Sequence, residues 1–138
     1  MADIALVTAD KVEVVESIIQ MTLPAAEAIT AGMAVRLDTS SGKFTKANGS
    51  AAGEARIWGI ATKTVASGMP VTAIRKGVMD GWDLSGLNYD AAVYLSDTDG
   101  RLADANGTVN VAVGRVIPGT STTLGTAYDK ILSVEVGG

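Results

Sequence analysis

From Ala26 onward the chain alternates short apolar runs with clusters of Gly, Asn, Ser and Asp. Ala34-Val35-Arg36-Leu37, Ile57-Trp58-Gly59-Ile60, Val71-Thr72-Ala73-Ile74 and Lys130-Ile131-Leu132-Ser133-Val134 are such runs. Their rhythm is roughly the 8–12 residues of an all-β sandwich or barrel, and no segment after Ala34 carries a helical period. The pattern predicts an all-β fold of short hairpins, a small β-barrel or β-tulip-like domain.

The leading segment reads differently. Residues 1–10 (MADIALVTAD) carry no turn signal and read as an extended N-terminal arm. In VEVVESIIQMTL, residues 12–23, Val12, Val14 and Ile18 fit one strand face, but Val15, Ile19 and Met21 blur the alternation. A helical period through Val12, Val15 and Ile19 competes with it. The density of β-branched residues and Pro24 favour a strand. The division expected is therefore 1–24, arm and first strand, and 25–138, a β-rich domain.

An internal echo sharpens the picture. Residues 34–49 and 92–107 share seven identical positions at a constant offset of 58, among them Ala-Val-x-Leu, a central Gly and a closing Ala-Asn-Gly. Trp58-Gly59-Ile60 has a looser counterpart in Val113-Gly114-Arg115-Val116 at a shorter offset. Two similar hairpin units related by a pseudo-two-fold axis are one reading, and chance likeness between Gly- and Ala-rich hairpins is the other. Two copies fall short of the three that a solenoid needs.

Composition narrows the chemistry. With 138 residues, 47% hydrophobic and 19% charged, the chain reads as one folded domain. Aromatics are only 4%, so the core must be aliphatic. The net charge is −4, and the 11 Lys and Arg are scattered, with no cluster beyond Arg75-Lys76. Nucleic-acid binding rests on grouped cations, so no nucleic-acid partner is expected. No run of about 18 apolar residues and no leader with an apolar core marks the chain for a membrane or for secretion. Zero Cys and zero His remove disulfides, thiolate nucleophiles and the commonest general base. A Ser-His-Asp or Cys-His enzyme is impossible here, and no cofactor is indicated.

The remaining candidate sites weigh lightly. Asp97-Thr98-Asp99-Gly100 has the opening of a calcium loop, but an EF-hand needs a third ligand before its Gly and a Glu six residues after it. Position 106 is Asn, and the aligned first copy places its carboxylate elsewhere, so the shared chemistry is that of a turn. Gly119-Thr120-Ser121-Thr122-Thr123-Leu124-Gly125 lacks the Lys of a phosphate-binding loop. Lys63 and Lys76 sit at solvated strand positions rather than beside a nucleophilic Ser. Asp80 and Asp83 flank Trp82, the nearest approach to a sugar-binding constellation, yet Asp80-Gly81 is equally a turn signal. Trp58, inside an apolar strand, is expected in the core. Trp82, Leu84, Leu87 and Tyr89 on a Gly-containing loop either cover the barrel end or face a partner.

The order of motifs then carries a resemblance. Thr-Ala-Gly-Met-Ala-Val-Arg-Leu-Asp is followed by Gly-Lys-Phe-Thr-Lys-Ala, Trp-Gly-Ile-Ala and Gly-Met-Pro-Val-Thr-Ala-Ile-Arg-Lys-Gly. Next come Tyr-Asp-Ala-Ala-Val-Tyr-Leu-Ser, Gly-Arg-Leu, Val-Gly-Arg-Val-Ile and Lys-Ile-Leu-Ser-Val. This resembles the capsid cement, or head decoration, proteins of tailed bacteriophages, over about Ile29 to Val136, and the lambda-type proteins are similar in layout. The resemblance implies a non-enzymatic virion protein, made in the host cytoplasm and bound as trimers or dimers to the outside of the capsid, with the major capsid protein as partner. Expected contacts with the shell or a neighbouring subunit are Ile4, Leu6 and Val7 of the arm and Trp82, Leu84 and Tyr89 of the loop. A carbohydrate-binding or adhesive β-module is the competing reading, with Trp82 as its aromatic platform.

Overall fold

Among the described residues nine strands form in chain order: β1 (Glu13–Pro24), β2 (Ala34–Leu37), β3 (Phe44–Lys46), β4 (Ile57–Ala61), β5 (Pro70–Asp80), β6 (Ala92–Leu95), β7 (Leu102–Ala103), β8 (Ala112–Pro118) and β9 (Lys130–Glu135). The computed structural model describes residues 2–7, 12–119 and 130–136. The hydroxyl-rich loop that begins at Gly119 lies, beyond that residue, outside the described residues. All strand pairs are antiparallel, and no helix occurs among the described residues. The strands run in the order β3-β2-β4-β5-β9-β8-β6-β7, a sheet curled into a half-barrel, with β1 added along β5.

The repeat in the sequence is a repeat in topology. β2 lies between β3 and β4, and β4 leads to β5; likewise β6 lies between β7 and β8, and β8 leads to β9. The registers match as well. Ala34, Val35 and Arg36 face Ile60, Gly59 and Ile57, with an irregularity after Val35. Ala92, Val93 and Tyr94 face Arg115, Gly114 and Ala112, with the same irregularity after Val93. Leu37 opposes Phe44 as Leu95 opposes Leu102. The units join where β5 pairs β9. Ile60–Ile74 corresponds to Arg115–Ser133, which makes Lys76 and Glu135 equivalent residues, and they face each other across the junction. The bond from Val136 N to Arg75 O, 3.0 Å, is the counterpart of the Gly77–Val134 pairing on its other side. A local two-fold relation in the register therefore passes through Lys76 and Glu135.

The two units are packed unequally. The main core joins Ile57, Ile60 and Ile74 of the first to Val93, Leu95, Val113, Val116, Leu132 and Val134 of the second. A second core lies on the other face of the first unit, where Val35, Phe44, Val71 and Ala73 are covered by Ala25 and Ile29. The counterparts of Val35, Phe44 and Ala73 in the second unit, Val93, Leu102 and Leu132, lie in the main core instead, while Ala112 and Arg115, the counterparts of Ile57 and Ile60, face solvent. Aliphatic side chains dominate both cores, as the composition requires; burying each contributes roughly 1.5–3 kcal/mol. Trp58 is only partly buried, its ring centroid 5.6 Å from that of Phe44 at the margin of the second core.

Candidate interaction surface

The N-terminal segment, expected as an extended arm, is docked on its own chain over residues 2–7. Ile4 N donates to Leu102 O and Val7 N to Gly81 O, both at 2.8 Å, while Ala5 O accepts from Asp83 N at 2.8 Å. Asp3 bridges Ala103, Leu6 bridges Trp82, and the Ser96 hydroxyl donates to the Asp3 carboxylate. The physical reason is a gap at the two-residue end strand β7, which Ile4 fills at 7% exposure. Leu6 is half-buried against Gly32, where an added Cβ would lie 2.8 Å from Leu6 Cδ2. Of the three arm residues singled out by sequence, only Val7 stays exposed.

The loop after β5 meets the first of its two expected destinations. Trp82 is 4% exposed and Leu84 1%; both belong to the main core and cover the barrel end. Neither offers a surface to a partner, and Trp82 presents no ring face on which a sugar could stack. Its flanking acids have local partners: Asp80 Oδ1 accepts from Gly81 N at 2.8 Å, and Asp83 Oδ1 accepts from the Ser85 hydroxyl at 2.6 Å. Tyr89 remains exposed, its ring 5.2 Å from Lys130 Nζ.

The structure brings forward residues that the sequence reading placed in a strand but did not select. β1 pairs β5 over its whole length, from Glu13–Asp80 to Pro24–Pro70. The opposite edge of β5 is shared, β4 pairing at Ala73–Ile74 and β9 at Lys76–Met79. Among the described residues β1 pairs with no other strand, so its outer edge is open. Its register slips between Val14 and Glu16 and between Ser17 and Ile19, leaving Val15 and Ile18 as bulged residues. Bulges break the inward–outward alternation. Val14, Val15, Ile18 and Ile19 consequently all stay exposed, Ile18 at 58%. A strand 12 residues long, open at its edge and exposing four β-branched side chains beside Glu13 and Glu16, is the kind that soluble monomers avoid or protect. The signal in the sequence was the blurred alternation itself.

The acidic hairpin is a turn. Ser96 N donates to Arg101 O at 3.0 Å, and Gly100 adopts φ 71°, as Gly42 adopts φ 73° in the first copy. Asp97 accepts from Thr108 N and its hydroxyl at 2.9 and 2.7 Å; Asp99 accepts from Asn48 Nδ2 at 2.6 Å. Asp99 thus ties the second hairpin to the first, while Asp97 closes a loop within its own unit. No group of three or more acidic side chains placed to hold a metal occurs among the described residues. No family model matches the chain, and comparison with curated proteins and with solved structures returns no match.

Proposed function

We propose that the chain is a non-enzymatic structural protein of a tailed-phage head. It binds the outer surface of the expanded capsid and cements neighbouring major capsid subunits against the pressure of packaged DNA. The observation that carries this reading is β1, an open edge about 40 Å long lined by four exposed β-branched side chains. The resemblance of its ordered motifs to those of decoration proteins is the reason for taking the major capsid protein as the partner.

Strand addition at such an edge draws affinity from main-chain hydrogen bonds and specificity from side-chain pockets. About 800 Å² per partner is enough for a stable contact. A protein that binds the expanded lattice and not its precursor stabilises the expanded state by mass action, by about 2.7 kcal/mol per site at a hundredfold excess over the dissociation constant. Presentation as a trimer or dimer raises the local concentration of the remaining sites once one has docked.

Co-sedimentation with expanded and unexpanded shells of the cognate capsid protein is the test. Pelleting with expanded shells, reduced about tenfold or more by Ile18→Lys/Ile19→Lys at unchanged melting temperature, is the expected result. Absence of binding to either shell would sink the capsid reading. Undiminished binding by the double variant would remove β1 from it.

A further inference from the structure

A cleft of about 660 Å³ opens beside the first unit, with Leu37, Ile57 and Trp58 as apolar walls and Arg56, Arg75 and Asp38 as its charged groups. The Arg75 guanidinium lies over the Trp58 ring, 5.5 Å from its centroid, and its Nη1 donates to Trp58 O at 3.2 Å. One side of that guanidinium is thus anchored and its remaining donors are held in a fixed direction. The ion pairs among the described residues are Lys46–Glu27 and Arg115–Asp90, and neither involves Arg56 or Arg75. Asp38, the acid in the cleft, has its oxygens engaged by Ser40 N, Ser40 Oγ and Ser41 Oγ at 3.0–3.1 Å. Arg36, whose charge acts on Asp38, has a buried Nε with no hydrogen-bond partner. In a chain of net charge −4, Arg56 and Arg75 thus line this cleft with no ion pair to either of them among the described residues.

The fold does not require them there. The positions of the second unit in equivalent register to Trp58 and Arg75 hold Val113 and Val134, both buried in the main core. The counterpart of Arg56 is Val111, packed against the same core. One copy of the unit has an aromatic wall and arginines where the other has valines.

We propose that this cleft binds a carboxylate-bearing segment of a partner polypeptide, an Asp or Glu side chain flanked by an apolar residue. Guanidiniums grip carboxylates with paired, charge-assisted bonds, and the apolar walls take the neighbouring side chain. Two arginines on an acidic protein, one of them anchored, suit one or two carboxylates; they do not supply the row of cations that a nucleic-acid backbone needs. This chemistry is independent of whether the partner is a capsid, and its test does not involve one.

The full chain is titrated with the capped peptide Glu-Leu-Glu-Leu and with its Gln-Leu-Gln-Leu analogue, followed by amide chemical shifts at residues 56–58 and 75 and by tryptophan fluorescence. Trp82 is buried, so a fluorescence change reports on Trp58. Saturable binding of the glutamate peptide is expected, weakened about tenfold or more in the glutamine analogue and in Arg56→Gln, as befits a lost charge-assisted bond. Arg115→Gln, an exposed arginine outside the cleft, should bind as the parent does. Arg56 is solvent-exposed, so Arg56→Gln is expected to melt with the parent, and the Arg75→Gln result is then a second, independent reading. Equal binding of both peptides, no saturation, unchanged binding by Arg56→Gln, or tighter binding of a single-stranded oligonucleotide at the same residues would each overturn the proposal.

Discussion

At Gly59 and Gly114 a single methyl group would collide with the backbone. A Cβ at Gly59 would lie 2.6 Å from Ile74 O, and one at Gly114 2.0 Å from Ser133 O. These are equivalent positions of the two units, and both glycines let the neighbouring strand approach. Gly114→Ala should destabilise the protein by at least ~2 kcal/mol, because carbonyl oxygens in a sheet cannot move aside as a side chain can. Gly86→Ala, with open space around it, should change the unfolding free energy by no more than about 0.5 kcal/mol. A chemical denaturation series on the two variants decides this. The aligned Gly was legible in the sequence, but its reason was not: a turn and a close strand approach call for the same residue. Trp82 shows the opposite limit. Its loop, flanked by Asp80-Gly81 and Asp83, looked as suited to a partner as to the core. What settled it is the bridge from Leu6, far off in sequence.

Elements were read best where turn residues bound them closely. β2 coincides with the run Ala34–Leu37, and β4 extends Ile57–Ile60 by one residue. β5 is much longer than its apolar run Val71–Ile74; Arg75, Lys76 and Gly77 end the run but not the strand. They continue it instead: at Gly77 a Cβ would meet Glu16 O at 2.3 Å, so β1 crosses close above a residue that must lack a side chain. The N-terminal segment was the element least visible in the sequence, since its strand-like pairing depends on the distant Leu102 and Gly81. Ile4→Ala should therefore cost about 2–4 kcal/mol, as a core truncation does. Removal of residues 2–7 should lower the melting temperature rather than leave the fold untouched. A truncated chain that melts with the parent would show that the docking of this segment contributes nothing to stability.

At the scale of the whole molecule the hydrogen bonds accepted by turn and loop carboxylates make stability depend on acid. The Ser40 amide, followed by the Ser40 and Ser41 hydroxyls, holds the Asp38 carboxyl below its ordinary value. The Ser85 hydroxyl does the same for Asp83, and the Thr108 hydroxyl for Asp97. Each folded-state pKa is lowered relative to the unfolded chain, so each contribution is complete above the ordinary carboxylate range and fades as pH falls through the folded value. Melting temperature should hold level from neutral pH down to about pH 5 and then fall toward pH 2. Asp97→Asn should be less stable than the parent at pH 7 and should lose less on acidification, so that the two curves converge. Parallel curves would mean that Asp97 has no part in the acid response. The fold at this scale was the most legible part of the sequence, because a seven-position echo at constant offset encoded a whole topology. The unequal packing of the units was not legible. It arises from segments outside the repeat, Ala25–Ile29 over one unit and residues 2–7 at the end of the other.

Those same segments close the ends of the sheet. β3 is flanked by Ala25 and Ala26, which pair with Phe44, and β7 by Asp3 and Ile4. What remains among the described residues is a single long unsatisfied edge on β1. In the language of polymer chemistry the described residues are monofunctional toward strand addition. A monomer with two reactive ends propagates a chain, whereas one with a single reactive end terminates it. Two copies joined through β1 would consume both edges and stop, and a copy joined to a foreign strand would leave nothing for the next to add to. Strand addition through this edge can cap a surface at one layer and cannot build a fibre upon it.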